Sequence, residues 1–133
     1  MGSQREIFLA SGVKDTEFER FVYAIEFVRR AYPSMTLGAF ATFLSVANHG
    51  SKGGISPTEL GERLEQPLPT IFRQCNQLSE GVPGKPGMNL ISKVDDAKDG
   101  RSKKLMISVG GLNLISGVLD ILSIEMPGAD ERD

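Results

Sequence analysis

Residues 90–109 read LISKVDDAKDGRSKKLMISV, and the fold turns on this stretch. In its second half Leu105, Ile107 and Val109 alternate with Lys104, Met106 and Ser108, the period-two pattern of a half-buried strand. Leu90 to Val94 supply a shorter, less regular partner run. Between the runs lie Asp95, Asp96, Lys98, Asp99, Gly100 and Arg101, and Gly100 can take the positive φ that a tight reversal needs. The pattern predicts an antiparallel hairpin with a charged tip. An isolated charged hairpin is more often a solvated turn than a binding device, so its meaning depends on its neighbours.

Immediately upstream, Ser56 suits an N-cap, Pro57 is pre-shaped for the first helical position, and Glu59 completes a capping box. Leu60 and Leu64 mark the inner face of this short third helix, and Gly61 permits close approach of another helix. Glu65-Gln66-Pro67 breaks it. A fourth helix is predicted from about Leu68 to Glu80, with Ile71, Cys75 and Leu78 inward and Pro69, Thr70, Arg73, Asn76 and Gln77 outward. Two short helices joined by a tight turn form a helix-turn-helix pattern, and the outward Thr, Arg, Asn and Gln can bond base edges and phosphates. Any solvated helix face would also be polar. Gly81 to Gly87, dense in Gly and Pro, reads as irregular.

Further upstream, one helix runs from Thr16, capped with help from Glu19, to about Tyr32 before Pro33. Phe18, Phe21, Val22, Ile25 and Val28 mark one apolar face, and Tyr23, Ala24, Phe27 and Ala31 mark a second. The next helix spans Thr36 to Asn48, with Leu37, Phe40, Ala41, Leu44 and Ala47 inward and Gly50 as its stop. His49 sits at the negative end of its dipole. After Gly110-Gly111 a last helix runs from Leu112 to about Ile124, with Leu112, Ile115, Leu119 and Leu122 on one side and Leu114, Val118 and Ile121 on another. Two apolar faces on each terminal helix exceed what one small core needs, which suggests a partner, although a central helix in a monomer would look similar.

The 133 residues are expected to form one domain, with ordinary hydrophobic (40%) and charged (24%) fractions. Residues 85–104 hold six cationic side chains against three carboxylates, a local excess in a chain whose formal net charge is −2. That asymmetry marks where a polyanion could dock. No apolar run reaches membrane-span length, the start matches neither a signal peptide nor a myristoylation signal, and no membrane association is expected. The single cysteine allows no internal disulfide and suits the cytoplasm. No metal or cofactor is expected, because the lone His has no ligand partner at a suitable spacing. Catalysis finds no paired carboxylates, nucleophile-base set or phosphate loop. Cys75 could be a redox switch, but its place on the apolar stripe favours a packed, inert thiol.

Helix-turn-helix followed by a basic hairpin resembles the MarR family of winged-helix transcription regulators over roughly Met35 to Leu122. TELGERL, TIFRQCNQLSEG, the wing motif DAKDGR and LMISVGGLNLI carry the likeness. The resemblance implies a mainly α, α+β fold: a DNA-binding winged helix over 36–109, its wing at about 90–109, flanked by dimerisation helices at 15–32 and 112–124. It implies that the fourth helix enters the major groove and that Arg101, oriented by Asp99, enters the adjacent minor groove. Arg73, Thr70, Asn76, Gln77 and Pro69 would then contact bases or backbone, and Lys98, Lys103 and Lys104 would attract phosphates. Phe21, Tyr23, Phe27, Leu114, Val118 and Ile121 would meet a second copy. The function expected is a homodimeric, sequence-specific double-stranded DNA-binding repressor on a pseudo-palindromic site, with room for an unidentified small-molecule effector. The alternative is a winged helix that docks on a polymerase or another regulator without reading DNA.

Overall fold

The computed structural model describes residues 16–49, 53–95 and 103–123. In chain order these form α1 (Thr16–Ala31), α2 (Leu37–Asn48), α3 (Pro57–Leu64), α4 (Leu68–Leu78), β1 (Gly81–Val82), β2 (Lys85–Pro86), β3 (Ile91–Asp95), β4 (Lys103–Ile107) and α5 (Val109–Ser123). The architecture is mainly α with an antiparallel hairpin, as the sequence predicts. Thr16 is already helical, so the cap position before α1 lies outside the described residues, as does Gly50 beyond α2.

Thr36 caps α2 by accepting a hydrogen bond from the Ala39 amide at 3.1 Å. The inner face of α2 differs from the predicted one. Ala39, Thr42, Phe43 and Val46 are buried, Leu37 is 81% exposed, Ala41 and Leu44 face out, and Phe40 and Ala47 sit at the margin. Apolar residues surround this helix, so periodicity alone does not choose a face. Packing chooses the side where Thr42 Oγ1 donates to Gln74 Oε1 at 2.6 Å, a bond that satisfies a hydroxyl the pattern would leave in solvent. At the other end the His49 ring donates from Nδ1 to the Ser45 carbonyl at 2.7 Å, closing the last turn.

In α3 the Ser56–Glu59 capping box forms in both directions, at 3.1 and 3.0 Å. Glu65, in the left-handed region at φ 53°, ends the helix, and the Gln66 amide donates back to the Gly61 carbonyl at 3.0 Å. Leu60 is fully buried, and a Cβ on Gly61 would lie 3.8 Å from side-chain carbons of Ile71 and Leu68, so α4 crosses closely there. Helix α4 buries Ile71, Gln74, Cys75 and Leu78 against α2 and α3.

Residues 81–87 are not irregular. Val82-Pro83-Gly84-Lys85 forms a turn with Gly84 at φ 85°, which suits a type II turn with Pro at its second position and Gly at its third. It joins β1 to β2 in a miniature antiparallel hairpin, pairing Gly81 with Pro86 and Val82 with Lys85. The returning chain then caps α4: the amides of Gly87, Met88, Asn89 and Leu90 donate to the carbonyls of Glu80, Gln77, Ser79 and Leu78 at 2.7 to 2.9 Å.

The larger hairpin pairs Ile91 with Ile107 through Asp95 with Lys103, and Ile55 bridges Leu105 on its outer edge. Val109, predicted as strand, instead opens α5 three residues before the predicted Leu112. Ser108 Oγ accepts from the Gly111 amide at 3.1 Å, which starts the helix through the two glycines. Gly111 is needed for packing: a Cβ there would lie 2.2 Å from the Leu90 carbonyl oxygen and 3.0 Å from the Phe43 ring. The core joins Val28 of α1 to Phe43, Val46, Leu60, Ile71, Leu78, Leu90, Leu105 and Leu114.

Candidate nucleic-acid interface

The five predicted reading residues fall on the outer side of α4. Pro69, Arg73 and Gln77 are exposed, and Thr70 and Asn76 are half-buried. Asn76 is already engaged: Lys93 Nζ of β3 donates to its Oδ1 at 2.7 Å, bringing the wing's first strand against the outward face of the helix. Lys93 belongs to the basic stretch of residues 85–104, but spacing does not reveal its contact with Asn76. Phe72, half exposed at 50%, was missed as well. The signal was present, since Phe72 lies about 100° round the helix from Ile71 and cannot join its stripe.

On the wing, Lys103 is exposed and ion-paired with Asp95, while Lys104 is half-buried near Glu59. The Glu59 carboxyl is held below the ordinary glutamate value, first by the Ser56 amide and less by the Ser56 hydroxyl, Lys104 and Arg63. Asp95 and Glu59 therefore offset part of the positive charge that the linear sequence suggests. Lys98, Asp99 and Arg101, at the predicted tip, lie outside the described residues. Burial pushes the Cys75 thiol up to about 11, which fits a packed group rather than a reactive one.

Beside α4 the miniature hairpin forms one wall of a groove of about 830 Å³. Arg73, Asn76 and Gln77 stand on one side, Lys85 to Met88 on the other, and Tyr32 and Ser34 at one end.

Helix α1 packs on α5, with the Phe27 ring over Gly117, where a Cβ would sit 2.6 Å away. Phe21 and Tyr23 of the predicted interface set are exposed, Tyr23 at 63%. Leu114 corrects that set. At 4% exposure it belongs to the protomer's own core, with Val118 packed against the same cluster and Ile121 half-buried. The outward apolar row of α5 is Leu112, Leu119 and Leu122. The sequence offered both rows, and the helix start at Val109 and the Gly111 and Gly117 contacts select between them.

Solved structures share this arrangement. The Staphylococcus aureus regulator MepR bound to ethidium bromide superposes at a TM-score of 0.66 with 15% identity, covering 98% of this chain and 83% of its own. A MepR–DNA complex matches at 0.59 with 16% identity, over 98% and 92% of the two chains. The transcriptional regulator SlyA matches at 0.54 with 18% identity, over 77% and 68%. The fold is the MarR-type winged helix. No family model matches the chain, and no curated protein matches it. In winged-helix terms α3 and α4 are the helix-turn-helix, and β3 and β4 are the wing. Among the described residues of this winged helix, no cluster of His, Cys, Asp or Glu could hold a metal ion. No described helix is long and apolar enough to cross a membrane.

Proposed function

We propose that the protein is a cytoplasmic transcription regulator, a non-enzyme that binds double-stranded DNA as a homodimer and represses from a pseudo-palindromic site. The observation that carries this reading is the Lys93–Asn76 bond, which sets the wing and the outward face of α4 side by side. A helix of this size fits the major groove, and the adjoining hairpin then meets the flanking backbone and minor groove. Arg73 and Gln77 are the free polar readers, Thr70 and Pro69 border them, and Asn76 is positioned by Lys93. Arg101, oriented by Asp99, is assigned to the minor groove, with Lys98, Lys103 and Lys104 near phosphates. The exposed apolar side chains of α1 (Phe18 and Phe21 on one face, Tyr23 on the other) and the row Leu112, Leu119 and Leu122 of α5 supply the apolar surface for a second copy. An apolar pocket of about 210 Å³ between α1 and α2, lined by Ile25, Val28, Tyr32, Met35 and Phe40, is the place for an effector.

A second reading, docking on a protein partner, is favoured by exposed Phe72 beside Leu68 and Pro69 at the start of α4. Selection from random duplexes at several salt concentrations separates the two. A DNA reader enriches a palindrome and weakens steeply with salt, whereas a docking module enriches nothing.

A further inference from the structure

The β1–β2 hairpin has no role in the reading above, yet it shares a groove with the outward face of α4. It is held firmly in place. Gly81 and Gly87 lie so close to backbone that a Cβ on Gly87 would meet the Ser79 carbonyl oxygen at 2.0 Å. The Gly87 to Leu90 amides fasten the returning strand to the end of α4. Arg73 and Lys85 face this groove, and among the described residues no carboxylate lines it. Lys103 is ion-paired with Asp95, whereas neither Arg73 nor Lys85 has an ion-pair partner among the described residues.

We propose that the β1–β2 hairpin is a second phosphate-gripping finger. Lys85 contacts the sugar-phosphate backbone of the same duplex whose bases α4 reads. The proposal rests on the DNA-binding reading. A duplex strand that borders the outward face of α4 and follows the groove wall meets an unpaired lysine on a fixed two-residue strand with little ordering cost. Being a point charge aimed at phosphate, Lys85 adds affinity and register but no base preference.

The test uses the full chain and the duplex enriched by selection. Fluorescence anisotropy is measured from about 50 to 200 mM salt for the parent, Lys85→Ala and Lys85→Glu, with phosphate-ethylation interference alongside. Lys85→Ala is expected to weaken binding on the order of tenfold at the low-salt end, and to flatten the log–log salt dependence by about one per protomer. Lys85→Glu should bind more weakly still. The preference among base-substituted duplexes should stay as in the parent, and one interfering phosphate per half-site should disappear. An unchanged slope and interference pattern in Lys85→Ala overturns the finger while leaving the DNA reading intact, and so does an altered base preference. A parent protein that retains no duplex at any salt overturns both.

Discussion

The contact that seats α4 on α2 is the buried Thr42–Gln74 bond, and replacing Thr42 with Val isolates it. The two side chains are nearly the same shape, so the change opens no cavity, and Thr42 is only 1% exposed. What it removes is the donor to Gln74 Oε1, whose residue is 8% exposed. A buried acceptor left without a partner costs about 1–3 kcal/mol. Gln74→Met is expected to cost less, near 1 kcal/mol, because the Thr42 hydroxyl can turn back to a carbonyl in its own helix. With both replaced, no polar group remains to be satisfied, and the double variant should recover most of the loss. Urea unfolding followed by far-UV circular dichroism measures this, at one protein concentration because a dimer's midpoint moves with concentration. Losses that add to within about 0.3–0.5 kcal/mol would refute the idea that this bond locks α4 onto α2.

Four further outcomes are expected. Because the folded-state pKa of Glu59 lies below its ordinary value, its stabilising effect is present above the usual glutamate range and is lost as pH falls through the lowered value. Glu59→Gln keeps an acceptor for the capping box, so its urea midpoint should fall less than the parent's on acidification, and parallel pH curves would contradict the assignment. Cys75 should resist an aromatic disulfide reagent at neutral pH until urea unfolds the chain; rapid labelling of the folded protein would show the thiol is not packed. Leu114→Ala should cost about 2–5 kcal/mol through a core cavity. Leu119→Glu should leave each protomer folded but shift sedimentation toward monomer, and an unaltered association state would place the interface elsewhere.

Local signals read well from the sequence where a side chain answers its own backbone. The Ser56–Glu59 box and the Ile71-Cys75-Leu78 stripe both stand where spacing puts them. Reading failed where a distant partner decides. Thr42 lies off the predicted apolar face, and the bond that lets it be buried comes from Gln74, thirty-two residues on. Gly110-Gly111 looked like a helix break, but Leu90 and Phe43 need that space and Ser108 caps across it. Gly and Pro in residues 81–87 signalled a loop by density, while their order, Pro83 then Gly84, spelled a turn between two paired residues. Lys93 and Asn76 lie seventeen positions apart, too far for any helical or strand period to link them.

The strand that folds back over the end of α4 ties helix, small hairpin and wing into one stiff reading head. Bending such a head would mean breaking several backbone bonds at once, so the proposed effector gains little by deforming it. In the proposed homodimer on DNA, sliding two intact heads nearer together or farther apart along the duplex disturbs none of those bonds. In the proposed homodimeric regulator, spacing between copies is therefore the variable through which binding is most cheaply switched off.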